Sequence, residues 1–323
     1  MKTVLVTAIG SLSADVVVKT LKKHNMKVLG CDIYPKEWIV DAYSVDGFFQ
    51  VPKGIEADIY INALKKICIS EQVDYIFPLT DVEIDTLNVN RDWFQENGVI
   101  ICISPKETID VCRNKYLTHQ CLKQMDLSIE LIPTFLAGDF REDLFNDSSA
   151  ICKPFNGRSS EGVRHFPNRK GLLSFLSETN RCEYIVQPFI KGSVVTVDVV
   201  RNPNTEKVVC IPRMELLRTQ NGAGTSVHVF HDDMLIKECE KIADRLGICG
   251  CVNFEFIQSL DGVYHFLECK PRFSGGVEFS CMTGYNFIFA HLCCFIDQDI
   301  DFLDTYQDCY IARKYEETIT ALG

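Results

Sequence analysis

The 323-residue sequence has no Cys-x-x-Cys pair, no apolar run long enough to span a membrane and no excess of basic charge. Each absence removes a class of function. Sixteen cysteines without that spacing do not make a zinc set, and Cys249 with Cys251, or Cys293 with Cys294, sit too close or too isolated to supply one. They are scattered through apolar runs with no signal peptide ahead of them, so they read as buried reduced thiols rather than as a disulfide framework. A bilayer needs about 20 consecutive apolar residues; none are found, and the expected location is cytoplasmic. With 33 Lys and Arg against 44 Asp and Glu, the net charge is -11, which argues against a nucleic-acid partner or an anionic membrane surface. An anionic ligand would need a local basic pocket. His228, His231 and His265 are too dispersed for a catalytic histidine or a metal centre.

What is present is a chain of ordinary globular composition, 46% hydrophobic and 24% charged, long enough for two or three domains with large cores. Apolar strands at 3–10, 28–33, 73–79 and 99–103 alternate with helical patterns at 13–25, 57–70 and 82–97. This alternation predicts a doubly wound, Rossmann-like α/β domain over residues 1–112. The turn after its first strand reads Gly10-Ser11-Leu12-Ser13-Ala14, with only the first glycine of the dinucleotide fingerprint. Binding of NAD, with Asp32 near the position of a ribose contact, is the least favoured reading. Thr80, Asp81 and Glu83 follow the carboxyl end of a strand, where such sheets place ligand crevices; Asp81 as a cap for the next helix is the simpler reading.

After Pro105 a helix containing Lys115 is predicted, and from Pro133-Thr134 on short strands alternate with long loops. The run 150–154 carries Lys153, and Asn156-Gly157-Arg158-Ser159-Ser160-Glu161-Gly162-Val163 follows as a loop rich in backbone donors suited to phosphates. Strands are predicted at 184–189 and 194–200, a loop over 213–226, and an amphipathic helix over 232–246 stopped by Gly247. The stretch CVNFEFIQSLDGVYHFLECKPRFSGG, residues 251–276, is the most informative. Asp261-Gly262 suits a two-residue hairpin turn. Counting outward from it sets Glu255 opposite Glu268 and Asn253 opposite Lys270, all four on one face. Facing carboxylates, with Cβ atoms about 5 Å apart, need compensation. A divalent cation would supply it; Lys270 as an internal counter-ion is the alternative.

The ordered pieces RNKYLTH, KPFNGRSSEGV, YIVQPFIKG, NFEFI and FLECKPRFSGG, behind an α/β domain, resemble the ATP-grasp superfamily, in the branch similar to the large subunit of carbamoyl phosphate synthetase and related carboxylate-amine ligases. The resemblance spans nearly the whole chain. It implies a pre-ATP-grasp domain over 1–112 and a two-lobed ATP-grasp domain over 113–323, with a mobile lid lobe near 117–186. It also implies a ligase that activates a small carboxylate as an acyl phosphate and joins it to an amine, using ATP and Mg²⁺, with Mn²⁺ as a substitute. By motif match, Lys115 and Lys153 would contact phosphates, and Ser159, Ser160 and Gly162 would lie in the closing loop. Gln187, Pro188 and Ile190 would meet adenine, Glu255 and Glu268 would hold metal, and Arg213, Lys270 and Arg272 would carry the chemistry. The partners implied are small-molecule substrates, with a homodimer left open. Three positions depart from the pattern: Gln187 replaces the hinge acid, Val194 replaces a ribose-binding acid, and Lys270 replaces a neutral metal ligand. The departures leave an ATP-binding regulatory module as the alternative function.

Overall fold

The computed structural model describes residues 1–141, 149–158, 161–178, 181–220, 222–303 and 305–322. In the first domain, β1 (Thr3–Thr7), α1 (Ala14–Lys23), β2 (Lys27–Asp32) and β3 (Gly47–Gln50) are followed by α2 (Ala57–Glu71), β4 (Tyr75–Phe77), α3 (Asp81–Asn88), α4 (Arg91–Glu96) and β5 (Ile100–Ile101). Its sheet is parallel in the order β3-β2-β1-β4-β5. β1 is buried along its whole length, as a strand covered by helices on both faces must be. α1 sends Ala14, Val17, Val18 and Leu21 into that core.

Two expectations for this domain change. Residues 82–97 form two helices rather than one, separated at Val89-Asn90, where the Asn90 side chain donates to the Thr86 carbonyl. No glycine or proline marks that break. The Asp32 carboxylate accepts from the backbone N–H groups of Gly10 at 2.9 Å and Tyr34 at 3.1 Å, so it fastens the turn that a ribose contact would require it to serve.

α5 (Lys106–Cys112) and α6 (Lys115–Leu122) lead into β6 (Glu130–Leu131). A small lobe follows, with β7 (Phe135–Leu136), β8 (Ala150–Pro154), β9 (Arg164–Phe166), α7 (Arg169–Glu178) and β10 (Tyr184–Pro188). Its four strands run in the order β7-β10-β8-β9, all antiparallel, over a core of Ala137, Ala150, Cys152, Leu172, Leu176 and Val186.

The large lobe is built from β11 (Gly192–Asn202), β12 (Lys207–Arg218), β13 (Gly224–Val229), α8 (Asp233–Arg245), β14 (Gly250–Ser259), β15 (Tyr264–Lys270), α9 (Val277–Cys281), α10 (Phe287–Cys293) and β16 (Cys309–Ala312). Its seven-stranded sheet runs β16-β13-β12-β11-β14-β15-β6. The region read as a loop over 213–226 is instead most of a strand pair, because one of its faces is polar for a reason given below. Val195, Val197, Val199, Val252, Phe254 and Phe256 cover one side of the sheet and pack with Leu235, Cys239 and Ile242 of α8. Burial of that face, at about 25 cal/mol per Å² of apolar surface, frees the opposite face to be polar.

The first domain and the large lobe are joined by buried polar contacts. Ser104 donates to the Cys249 carbonyl and accepts from the Cys249 N–H. His291 accepts from the Cys251 N–H at Nδ1 and meets the Cys102 carbonyl through Nε2. Burial pushes its pKa down to about 3, so the neutral ring makes this tie. Among the described residues no cysteine is joined in a disulfide, and no helix is long and apolar enough to cross a membrane.

Candidate active site

The hairpin of β14 and β15 positions the charged groups. Asn253 faces Lys270 and Glu255 faces Glu268, the expected register, but it arises differently. Phe256 pairs with Phe266, so the loop has three residues, Leu260 to Gly262, and Leu267 is an extra residue in a bulge beside Glu255. An odd loop alone would turn the glutamates to opposite faces. The bulge restores them.

The register continues across the sheet. Arg213 on β12, Thr196 on β11, Glu255 on β14 and Glu268 on β15 form one row. Asp198, Asn253 and Lys270 form the next. This polar floor explains why β12 and β13 looked like a loop. Arg213 and Glu215 point to the cleft, and their polarity hides the strand pattern.

Above the floor lie two cavities. One, of about 230 Å³, lies between the lobes and brings together Lys115, Lys153, Gln187, Pro188, Ile190, Glu255, Glu268 and Lys270. The other, of about 450 Å³, reaches to the first domain and is lined by Ser11, Asp81, Arg213, Glu215, Arg272 and Ser274 among others. Arg158, Gly222, Glu255 and Lys270 border both. Gly162 stands at φ +71° against Pro154, beside the smaller cavity. Ser159 and Ser160 lie outside the described residues.

Each charged group has a definite environment. Asn114 caps α6 by accepting from the Tyr116 and Leu117 N–H groups, which fixes Lys115 at the first helical position. Its Nζ donates to the Gly157 carbonyl at 2.9 Å and lies 2.9 Å from Glu268 Oε2. Lys153, on β8, is 7% exposed, and its side chain makes no hydrogen bond or ion pair among the described residues. Burial lowers its pKa to about 8, against the pull of Glu268. Lys270 Nζ is 2.5 Å from Glu255 Oε1 and 3.3 Å from Glu268 Oε1. For Glu268, burial opposes ionisation, but Lys115, Lys270 and Lys153 together hold the carboxyl well below its usual range. Gln187 donates to Thr134 Oγ1 at 2.8 Å.

Arg213 is 1% exposed and donates to Asp198, Ser280 and Ser274, with Glu215 Oε1 at 3.3 Å. Glu215 Oε2 is buried without a hydrogen-bond partner. A Cβ at Gly224 would stand 2.0 Å from that oxygen, so only glycine leaves room for it. Arg272 Nη2 donates to Asp81 Oδ2 at 2.9 Å, and Arg113 Nη1 lies 3.6 Å from Asp81 Oδ1. Burial alone would raise the Asp81 carboxyl, but Arg272 and Arg113 outweigh it and hold it low. Asp81 lines the cleft, and the cap position of α3 belongs to Thr80, whose side chain makes no cap bond. Sequence reasoning placed it at a crevice but favoured the cap. Thr196 and Glu215 it did not single out; alternation along β11 and β12 was the available signal.

Residues 180–315 match the family model described as ATP-grasp in the biosynthetic pathway with Ter operon, and residues 4–102 match the model for a PylC-like N-terminal domain. Residues 180–315 are thus an ATP-grasp region. Solved structures share the fold of the chain over most of its length. Biotin carboxylase from Campylobacter jejuni, in complex with β-γ-ATP, has a TM-score of 0.75 at 16% identity, covering 91% of this chain and 70% of that one. N5-carboxyaminoimidazole synthetase from Staphylococcus aureus, complexed with ADP, has a TM-score of 0.71 at 17% identity, with coverages of 93% and 78%. L-amino acid ligase from Bacillus licheniformis has a TM-score of 0.68 at 16% identity, with coverages of 90% and 73%. At these identities the likeness is one of fold. No curated protein sequence matches this chain significantly.

Proposed function

We propose that this protein is an ATP-grasp ligase that uses ATP to activate a small carboxylate as an acyl phosphate and joins it to an amine with release of ADP and phosphate. The observation that carries the reading is Lys153. It is an ammonium buried at the cavity between the lobes, with no partner among the described residues and a pKa lowered to about 8. A buried cation without an anion is costly, and a nucleotide phosphate would relieve that cost.

In this reading Gln187, Pro188 and Ile190 border the adenine, with the Pro188 carbonyl and the Ile190 N–H as its edge contacts. Lys115 and Lys153 meet the phosphates, and Gly162 lies beside them. A substrate carboxylate oxygen attacks the terminal phosphorus and ADP departs with the bonding pair. The amine nitrogen then attacks the acyl carbon, phosphate leaves and the amine proton is lost. Arg272 and Lys270 border the second cavity, where developing negative charge would be neutralised. Arg213 holds that wall in place through Asp198, Ser274 and Ser280. The carboxylate and the amine would enter from the first-domain side, past Asp81 and Glu215.

Among the described residues, no three His, Cys, Asp or Glu side chains gather at one point. The protein alone therefore does not cage a metal. Glu255 and Glu268 fit one magnesium shared with nucleotide phosphates, the ligand set this ion prefers. Such an ion would screen phosphate charge.

The test is incubation with ATP, Mg²⁺ and a panel of carboxylic acids, with hydroxylamine standing in for the amine. The expected result is ADP and a hydroxamate with at least one acid. ATP binding without either product over a broad panel would favour a second reading, a nucleotide-binding regulatory module. The ammonium between Glu255 and Glu268 and the apolar Val194 give that reading its basis. Turnover appearing only in Lys270→Asn would mark the site as degenerate.

A further inference from the structure

Two carboxylates directly opposite on neighbouring strands repel unless a cation lies between them. Here that cation is already part of the chain. Lys270 Nζ contacts Glu255 Oε1 at 2.5 Å and Glu268 Oε1 at 3.3 Å, and Lys115 Nζ takes Glu268 Oε2 at 2.9 Å. Asn253, opposite Lys270, is no spare metal ligand on its amide nitrogen side, since Nδ2 donates to the Arg272 carbonyl at 3.1 Å. An ammonium has three donors and no lone pair, so it repels a divalent ion while satisfying the same oxygens. Its position is enforced from both sides: Glu255 and Glu268 attract it, and Arg272, turned away, is held by Asp81 at 2.9 Å. Lys270 also borders both cavities, so the same ammonium faces the space where nucleotide and acceptor would meet.

We propose that Lys270 is a built-in monovalent cation standing where a second divalent ion would bind, so that the site takes its nucleotide with one metal ion and not two. The inference rests on the nucleotide reading of the cleft. Lys270 keeps one donor on Glu255 and offers the others to the terminal phosphate. The second positive charge at this end of the nucleotide thus comes from the protein and does not depend on the free magnesium concentration.

Counting bound Mn²⁺ tests this. The full chain is saturated with the non-hydrolysable analogue AMP-PNP, and free Mn²⁺ is followed by its electron paramagnetic resonance signal. One ion per chain is expected in the wild type and two in Lys270→Asn, whose shorter neutral side chain opens the space and adds an oxygen. Lys270→Gln carries the same expectation and serves if the first variant fails to fold. Two ions in the wild type would overturn the proposal, and so would one ion in both the wild type and a folded neutral variant. Failure of AMP-PNP to bind the wild type at all, read separately by calorimetry, would instead overturn the nucleotide reading beneath it.

Discussion

Lys153 shows how burial sets the charge state of a single residue. Its pKa is depressed to about 8 because burial removes water from the ammonium faster than Glu268 replaces it. A bound polyphosphate favours the charged form, so it raises that pKa and takes up a proton when the pH lies above about 8. Nucleotide affinity should therefore be highest below pH 8 and fall as pH rises through that value. Lys153→Met should bind more weakly and lose this part of the pH dependence. Calorimetry of ADP binding between pH 7 and pH 9.5, in two buffers of different ionisation enthalpy, reads both the affinity and the proton uptake; equal pH profiles in the two proteins would refute the assignment. Lys153 could be picked out in the sequence only through its place in an ordered set of motifs, since a lysine alone is more often an ordinary surface charge. Asp81 was harder, since its partner Arg272 lies 191 residues away and a helix start gives an acid a local reason to be there. Glu215 was hidden in a polar tract for the same kind of reason.

At the scale of the element, the hairpin was legible in its register and illegible in its turn. Asp261-Gly262 reads as a two-residue loop, yet the chain uses three residues and then repairs the face with Leu267. Turn signals fix that a chain reverses; they do not record a bulge five residues later, which has no composition of its own. Two changes test this. Gly262, at φ +87° with open space around it, should tolerate alanine at a backbone cost of about 1 kcal/mol, seen in urea unfolding, with nucleotide affinity unchanged. Deletion of Leu267 should leave nucleotide binding in place, because Phe266 and Glu268 then become neighbours and Glu268 and Lys270 keep their partners Glu255 and Asn253 on the polar face in a regular ladder. Loss of binding by a folded deletion variant would refute the register given to the bulge. The missed break between α3 and α4 has a similar origin: Asn90 bonds to the Thr86 carbonyl, a local competition that helical periodicity does not reveal.

For the whole molecule, the alternation of strands and helices was enough to place a doubly wound domain before a two-lobed one, and the order of short motifs placed the cleft. What it could not give was the way the parts share the cleft. Ser104 to Cys249, His291 to Cys102 and Arg272 to Asp81 join segments far apart in sequence, and each depends on tertiary packing. Their effect is that the first domain closes one end of the site and contributes Asp81 to it, while the small lobe closes the other. The central claim is that nucleotide lies between the two lobes over the β14–β15 hairpin. A crystal structure of the chain with AMP-PNP and magnesium tests it most directly. The expected result is adenine against Gln187–Ile190 and phosphates among Lys115, Lys153 and Lys270; nucleotide bound instead at the Gly10–Ser13 turn of the first domain, or a cleft left without nucleotide at saturating concentration, would contradict it.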